Sequence, residues 1–587
     1  MWQNEDKLIR NLFLESLLTF FLSMLTTSLG TLVDGLVIGN TMTTGSVAAF
    51  QIINPLNFMF AIIGSVLNSG CTNACSKALG QNDATKARAV FSATNIFGVG
   101  LSIIVALVIL VLADPILIFL GAEQETEVFF NAKDYLIGYL FGLPAITATK
   151  LLASIMQLDS DRPRAIAATA VMTVVNIAGD LLCVFVFHTG LAAIAAVTTI
   201  SYYAGAAVLI LHFVKKDIIF KFSLRSPDWN TLKNICFKGM PKGVSRITSS
   251  VRGIFMNKMA TGIAATCVAG LAVSFNVNYL VNAVVMGIAS TFMILISVYY
   301  GAENRRALKI IIKVACICEI AFTGTLAVLL FVLAPQISRL YLGLNIDAIP
   351  YGITCLRWYA AGLLFQGFNI LFADYLQATG RIGEANIIYV IEDVAVTIGA
   401  GLLLSGRFLA DGIYMSVAVS QILTFVLIPV FVFISNRVHK RSAGDFLMLG
   451  SDFGSAPGDE FLVTITSMEG VIKASENLLK FCLGKGLSKR KANAIALASE
   501  EMVSNIISKG FSDGKPHYID LRGRYEKDGG MTLIIRDDTK LYNPLSRLEY
   551  IKSNDPTTNI GLRITMNLAK DVNYTSTLKL NNLEIRL

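Results

Sequence analysis

Residues 91–112 read FSATNIFGVGLSIIVALVILVL, a run that contains no charged residue. A helix of about 20 apolar residues is long enough to cross the hydrocarbon core of a bilayer. Comparable apolar runs recur up to about residue 435, whereas residues 436–587 have the mixed composition of a soluble protein. The sequence therefore predicts a membrane half followed by a soluble tail.

The composition agrees with this division. The chain has 587 residues, of which 54% are hydrophobic and only 15% are charged, against about 25% charged residues in a typical soluble domain. The net charge of +8 does not indicate a nucleic-acid partner, because the Lys and Arg residues lie in short loops between apolar runs and not on one face. Most of the nine Cys lie in apolar segments without metal-ligand spacing, so we expect buried, reduced thiols.

Twelve membrane spans are predicted from the apolar runs. They lie near 11–38, 46–74, 90–113, 131–156, 164–187, 190–213, 234–260, 264–299, 308–333, 350–378, 384–405 and 409–434. Clusters of Lys and Arg fall on alternate loops, and the opposite loops carry Arg339 and Arg407. By the positive-inside rule the basic side is cytoplasmic, so we expect both termini in the cytoplasm and the chain in the inner (cytoplasmic) membrane.

An internal repeat divides the membrane half. Residues 78–88 (ALGQNDATKAR) resemble 300–309 (YGAENRRALK), and 111–121 (VLADPILIFLG) resemble 332–343 (VLAPQISRLYLG). The offset of about 220 residues corresponds to six spans, an even number, so both halves have the same orientation. Carriers that rock two halves around a central cavity use such duplication.

The sequence thus predicts an all-α polytopic membrane protein of two parallel six-helix bundles plus a C-terminal α+β domain. Its expected parts are an N-terminal lobe (1–213), an inter-lobe linker (214–233), a C-terminal lobe (234–435), a second linker (436–458) and the tail (459–587).

Several motifs of the membrane half resemble those of the multidrug and toxic compound extrusion (MATE) family. They are TLVDGLVIG at 31–39, NIAGD at 176–180 and GMP at 239–241. The resemblance implies efflux of drugs or metabolites driven by Na⁺ or H⁺, with a cation site formed by Asp34, Asn176 and Asp180. An ionisable group inside a span is costly without a partner or water, and a carboxylate binds a small cation reversibly. The alternative is that both aspartates lie near the outer helix ends and are merely hydrated or hydrogen-bonded.

Charged residues also lie in the predicted spans of the second lobe. Glu392 and Asp393 replace the first lobe's polar pair, and Asp374 and Glu319 are further acidic candidates. The seventh span carries the basic cavity candidates Lys242, Arg246 and Arg252. Two interpretations stay open: the basic residues line the cavity and favour anionic substrates, or they extend to the interface and pair with the acids.

The tail alternates predicted strands and helices. Strands are expected near 461–466, 517–525 and 531–536, helices near 468–483, 488–509 and 559–570, and two strands at the end. The order of SEEMVSN at 499–505, RDDTKLYNP at 536–544 and NIGL at 559–562 resembles the GHKL ATPases, in particular the anti-sigma-factor serine kinases.

That resemblance implies a nucleotide site in the tail. Asn505 would hold Mg²⁺ through bound ATP, Glu501 would act as a general base, Asp537 would bind the adenine amino group and Gly561 would lie in the phosphate loop. Residues 501 and 505 share one helix face, and phosphoryl transfer needs a metal ligand and a carboxylate near the attacking oxygen. The family's glycine after the adenine aspartate is Thr539 here, which puts ATP turnover in doubt.

Three functions follow as hypotheses. The first is a cation-coupled efflux antiporter for a small-molecule substrate, with a regulatory tail. The second is a flippase for a lipid-linked precursor, motivated by the basic seventh span. The third is a membrane sensor whose tail is a serine kinase or binds a cytoplasmic protein partner.

Overall fold

A computed structural model describes residues 4–215, 218–223, 229–343, 345–439, 441–442, 445–450, 453–456, 458–511, 515–526, 529–539 and 569–587. The first half of the membrane region forms eight helices: α1 (Asn4–Thr41), α2 (Thr44–Gly80), α3 (Ala84–Val111), α4 (Ala113–Phe119), α5 (Glu127–Leu140), α6 (Leu143–Leu158), α7 (Arg162–Phe185) and α8 (Leu191–Ile210). The second half forms α9 (Trp229–Thr261), α10 (Ala265–Gly301), α11 (Arg305–Cys318), α12 (Gly324–Leu342), α13 (Ile349–Ala378), α14 (Ile382–Val390) and α15 (Thr397–Val438).

Among the described residues, eight helices are long and apolar enough to cross a membrane, and nine if the bent pair α5 and α6 is one span. The predicted seventh and tenth spans, α9 and α13, are not among them. Helix α9 carries several Lys and Arg residues along its length, which lowers its hydropathy. The predicted eleventh and twelfth spans form one helical stretch, Ile382–Val438, which breaks at Leu409 (φ 52°, ψ −125°).

The repeat is visible in the backbone of the turns. Asn82 and Glu303 occupy matching positions of the duplicated segments, and both have left-handed φ angles, 58° and 51°. The next residue of each copy caps the following helix: the Asp83 carboxylate accepts from Lys86 N at 2.8 Å, and the Asn304 side chain accepts from Ala307 N at 2.9 Å. A side-chain acceptor at this position satisfies a backbone N–H that the helix leaves free.

The two lobes, α1–α8 and α9–α15, pack closely at one end of the bundle. Helices α2 and α9 cross at Gly70 and Gly239, where a Cβ on Gly239 would lie 1.9 Å from the Val66 carbonyl oxygen. Helices α2 and α10 meet at Gly80 and Gly301, where a Cβ on Gly80 would lie 1.9 Å from the Val298 oxygen. These four glycines, the glycine seam, allow a backbone approach that no other residue permits.

Gln377 joins the lobes beside the seam. Its side-chain nitrogen donates to Ser69 Oγ of α2 at 2.7 Å, and its backbone carbonyl accepts from Asn73 Nδ2 of α2 at 3.1 Å. The seam and these bonds lie toward the end of the bundle where the tail is found, which we call the tail face. The lobes are therefore closed against each other on this side.

The tail contains β1 (Glu460–Ile465), α16 (Met468–Gly484), α17 (Lys489–Gly510), β2 (Ile519–Tyr525), β3 (Met531–Asp537), β4 (Asp571–Thr577) and β5 (Leu580–Arg586). The strands form an antiparallel sheet in the order β1-β2-β3-β5-β4. Residues such as Leu521, Leu533 and Ile585 pack against α16 and α17 on one face of the sheet. The predicted fold class, a polytopic helical membrane protein with an α+β tail, is confirmed, and the predicted helix near 559–570 lies mostly outside the described residues.

Candidate functional site

The predicted cation site lies between α1 and α7. Asn176 and Asp180 are one turn apart on α7, and both are buried, Asp180 completely. A Cβ on Gly30 of α1 would lie 3.7 Å from Asn176 Oδ1, and Thr173 Oγ1 donates to the Thr26 carbonyl at 3.3 Å. The absence of a side chain at Gly30 therefore lets α1 approach the polar face of α7.

Asp34 belongs to α1, one turn beyond Gly30, but its side chain lies outside the described residues. Helices α1 and α7 both begin at the tail face and run in the same direction. One turn beyond the Gly30–Asn176 contact, the register brings residue 34 of α1 to the level of Asp180 on α7. The backbone thus places the two predicted aspartates on neighbouring helices at similar depth.

In the second lobe the basic helix α9 pairs with buried acids. Arg252 Nη1 donates to Asp393 Oδ1 at 2.6 Å, while Thr248 Oγ1 donates to Asp393 Oδ2 at 2.7 Å. Lys242 Nζ donates to Asp374 Oδ1 at 2.5 Å. Removing one partner of such a pair would leave a buried charge uncompensated.

Glu392 is held differently from its neighbour Asp393. Its Oε1 accepts from Gln421 at 3.0 Å, and Gln421 accepts in turn from Asn369 at 3.1 Å. Both acids lie on a π-helical turn, Ile391–Val396. Glu319, completely buried, lies on a second one, Glu319–Thr323. Single π-helical turns inside helices frequently occur at functional sites, because they redirect side chains.

Two cations of opposite lobes lie near enough for their charges to interact. They are Lys150, on α6 of the first lobe, and Arg246, on α9 of the second. Within the described part of the chain, no acidic side chain forms an ion pair with either residue. Sequence reasoning missed Lys150, although a single Lys inside the apolar stretch LPAITATKLLASIMQL was a visible signal.

A cavity lies within the second lobe. It is lined in part by Arg252, Tyr359 and Gln421, so it reaches the residues that hold Asp393 and Glu392. The Tyr359 hydroxyl donates to Asn278 at 2.7 Å on the same wall. The predicted cavity residues Arg252, Glu392 and Asp393 therefore cluster, whereas Lys242 lies apart with Asp374.

The candidate nucleotide site of the tail lies around the ends of α17 and β3. The side chains of Glu501 and Asn505 are in contact, with Asn505 Nδ2 3.2 Å from Glu501 Oε1. The buried Asp537 accepts from Thr539 N at 3.0 Å and from Asn581 Nδ2 at 2.8 Å. Burial raises the pKa of the Asp537 carboxyl, and these hydrogen bonds oppose the shift.

Thr539 stands where the resembled motif has a glycine. Its side chain lies against Gly510 at the end of α17, where a Cβ would be 2.6 Å away. The two elements that carry Asn505 and Asp537 are therefore packed together at this point. Gly561 lies outside the described residues. The residues present offer a carboxylate, an amide and a buried aspartate, a donor set that fits Mg²⁺–ATP.

Two lobes related by a repeat, with polar residues inside the spans, define a membrane carrier. The MatE family model matches residues 20–182 and 241–398, more than half of the chain, so the protein belongs to the MATE family. The model for the histidine kinase-like ATPase domain matches residues 467–587. The resemblances of both halves are thus confirmed.

Similar proteins cover the membrane half. The multidrug export protein MepA of Staphylococcus saprophyticus is 24% identical over 379 residues, which cover 64% of this chain and 82% of MepA. MepA of Staphylococcus aureus is 24% identical over 396 residues.

Solved structures share the fold at low identity. An outward-facing MATE transporter of the MOP superfamily has a TM-score of 0.69 at 19% identity, covering 75% of this chain and 99% of that structure. A MOP superfamily transporter of Pyrococcus furiosus, described as having a binding pocket of reversed polarity, has a TM-score of 0.68 at 19% identity, with 75% and 98% covered.

Proposed function

We propose that the protein is an efflux antiporter in which inward movement of Na⁺ or H⁺ through the first lobe drives export of drugs or metabolites. The buried pair Asn176 and Asp180, on the helix beside α1 and with Asp180 at the level of residue 34, carries this proposal. A carboxylate at this depth binds a cation when the carrier exposes the site to one side of the membrane, and it releases the cation when the carrier exposes the site to the other side. MepA, a multidrug export protein, supports export of small molecules as the activity.

The orientation follows from the distribution of charge. The tail face carries Lys86, Arg88, Arg164, Arg305 and Lys309, whereas the loop between α4 and α5 on the opposite side carries Glu123 and Glu125. Short loops rich in Lys and Arg stay in the cytoplasm. We therefore place the tail face and both termini in the cytoplasm, and the chain in the cytoplasmic membrane.

The cation site is tested in proteoliposomes with an imposed Na⁺ or pH gradient and a fluorescent organic cation as the probe. We expect Asp180→Asn to abolish gradient-driven transport while the amount of inserted protein is unchanged. A neutral amide cannot take up and release a proton, and it carries no charge that would balance a bound Na⁺. Asp114→Asn is the matched control, since Asp114 is exposed and pairs with Lys133 at 2.7 Å. Transport at the control's level in Asp180→Asn would refute the coupling role.

The tail would act as a regulatory, ATP-binding domain. Bound Mg²⁺–ATP would supply a transferable phosphoryl group, and Asn505, Asp537 and Glu501 are the residues that would hold the metal, bind the adenine and serve as base. Because the tail has the candidate base Glu501, it would also be able to transfer the phosphoryl group to a protein partner.

Nucleotide binding is tested by titrating the full chain with a fluorescent ATP analogue. We expect Asp537→Asn to weaken binding at least about tenfold, the effect of losing a charge-assisted hydrogen bond. Asp538→Asn is the control, because Asp538 instead accepts from Tyr518 N at 2.9 Å and contacts His517. Equal affinities of the two variants would contradict the site.

A second candidate function has its own observation. Lys150 and Arg246, two cations without an acidic partner among the described residues, would suit a carboxylate or phosphate group bound between the lobes. That arrangement favours an anionic substrate, as in a flippase for a lipid-linked precursor, over a lipophilic cation.

A further inference from the structure

The face of the tail sheet that points away from α16 and α17 lies against the membrane half. Alternate residues of β2 and β3 point to this face, among them Asp520, Arg522, Ile534 and Arg536. They line one pocket together with Ile9 of α1 and Tyr299 of α10. A sheet face rich in Arg is usually solvated, and here it is instead covered by the ends of the membrane helices.

One set of contacts attaches the tail to the first lobe. The turn between β4 and β5 donates from Leu578 N to the Leu158 carbonyl at 3.2 Å and from Lys579 N to Ser160 Oγ at 2.8 Å. Arg162 donates to the Leu578 carbonyl at 3.1 Å. Thr575 of β4 adds a hydrogen bond to Asn82 at 2.6 Å. Leu158 is the last residue of α6, so the tail satisfies a helix-end carbonyl.

A second set attaches the same sheet to the second lobe. Arg522 donates to the carbonyl oxygens of Ala302 and Glu303 at 2.8 and 3.0 Å, directly after α10. Arg524 donates to the Glu303 carboxylate at 3.0 Å. The Arg536 guanidinium lies 4.8 Å from the ring centre of Tyr299. Cations at a helix C-terminus interact favourably with its free carbonyls and its dipole.

The tail therefore holds both copies of the repeated turn. Asn82 and Glu303 are matching residues of the two lobes, and each contacts the tail. Between them, Leu578 belongs to a buried apolar cluster and lines one cavity with Leu12 and Leu79 of the first lobe and Val298 of the second, three residues that we call the socket. Leu79 directly precedes Gly80, so the socket adjoins the crossing of Gly80 and Gly301.

The turn itself shows a conflict between local and tertiary structure. Leu578 and Lys579 have φ angles of 58° and 66°. A two-residue hairpin turn with positive φ at both positions favours Asn-Gly, and Leu is unfavourable there. Leu578 is nevertheless only 2% exposed at the tip of its hairpin. The strain is compensated by the contacts of the side chain with the socket.

We infer that the docked tail is a clamp that holds the cytoplasmic ends of the two lobes together and must release before the carrier can open to the cytoplasm. A rocking carrier opens this side by separating the ends of α2 and α10, whose loops the sheet connects. Contacts made only in the closed state shift the equilibrium toward that state. The inference rests on the proposed rocking of the lobes, but its readout does not require transport.

The test measures a distance between the lobes. Spin labels are placed through Lys86→Cys and Lys309→Cys, two exposed positions near the starts of α3 and α11. The variant Leu578→Asn/Lys579→Gly removes the docking side chain while giving the hairpin its preferred turn residues, so loss of the tail fold cannot explain its effect. Arg522→Gln weakens the attachment to the second lobe. Arg586→Ala is the control, an Arg of the same sheet that pairs with Glu584 inside the tail.

In the chain that carries only the two labels, we expect one dominant, short distance between residues 86 and 309. In either clamp variant the ratio of long to short distances should rise about tenfold, as expected for lost charge-assisted or apolar contacts. Combining the variants should add little, because a clamp released from one lobe no longer connects the two. Wild-type distance distributions in both clamp variants, or equal effects in Arg586→Ala, would overturn the inference. A failure of Asp180→Asn to stop transport would instead refute the coupling proposal and leave these distances unaffected.

Discussion

At the scale of single residues, we expect Arg246 and Lys150 to select substrates by their charge. Two like charges near each other in a membrane protein are costly unless an anion or water separates them. We expect Arg246→Gln to lower transport of an anionic fluorescent probe at least about tenfold, equivalent to ~1.4 kcal/mol of lost binding, and to leave or raise transport of a cationic probe. Competition assays in proteoliposomes measure both.

The control for this prediction is Lys258→Gln. Lys258 is a basic residue of the same helix but lies in its last turn, about three turns beyond Arg246. If Arg246→Gln and Lys258→Gln transport the two probes alike, the cation pair does not select the substrate.

The sequence predicted which side chains are polar inside the spans, but not how they pair. Asn176 and Asp180 follow from one motif on one helix, so their common face was predictable. The pairs Lys242–Asp374 and Arg252–Asp393 join residues more than 130 positions apart, and only tertiary packing brings them together. Lys150 belongs to no repeated spacing or motif, and its only signal is a charge inside an apolar run.

At the scale of elements, the glycine seam controls how closely the lobes approach. A Cβ on Gly301 would lie 2.2 Å from the Lys77 carbonyl oxygen, a clash with backbone that no rotamer change relieves. We expect Gly301→Ala to separate α2 from α10 and to raise the long-distance population between labels at residues 86 and 309 several-fold. The same electron-paramagnetic resonance measurement used for the clamp reports this change.

Gly100→Ala is the matched control for the seam. Gly100 lies within α3, and no atom lies within 4 Å of a Cβ placed there. Alanine is the better helix former by about 1 kcal/mol, so this variant should be as stable as the parent or more stable. An unchanged distance distribution in Gly301→Ala would show that the seam does not set the approach of the lobes.

The limits of helices were largely readable, whereas irregular turns within them were not. Polar residues before α3, α11, α16 and α17 cap those helices through their side chains, as such residues typically do at helix starts. The π-helical turns at Glu319 and Ile391 give no periodic signal, because one extra residue changes the apolar pattern too little. The break at Leu409, by contrast, falls at the boundary that the sequence predicts between the eleventh and twelfth spans.

At the scale of the whole molecule, the docking of the tail could not be predicted. Arg522, Arg524 and Arg536 alternate along β2 and β3, a pattern that is typical of a solvated sheet face. Leu578 is buried in one cluster with Leu12, Leu79 and Val298, residues of α1, α2 and α10, so its docking depends on both lobes together. The linker follows the same surface, with the ring of Phe453 stacked 5.0 Å from that of Tyr300.

The orientation of the molecule gives the last prediction. Glu123 is exposed in the acidic loop between α4 and α5, and Lys309 is exposed on the basic tail face. The native Cys are buried or half-buried, so a membrane-impermeant maleimide should react mainly with an introduced exposed Cys. We expect Glu123→Cys to react in intact cells and Lys309→Cys to react only after permeabilisation, because basic loops stay in the cytoplasm.

The reverse pattern would invert the chain and place the tail outside the cell, where neither ATP nor a cytoplasmic partner reaches it. Reaction of both positions from the same side would place the α4–α5 loop of the first lobe and the start of α11 in the second lobe on one side of the membrane. The two lobes would then lack the common orientation that the duplicated fold requires, and the rocking mechanism would lose its basis.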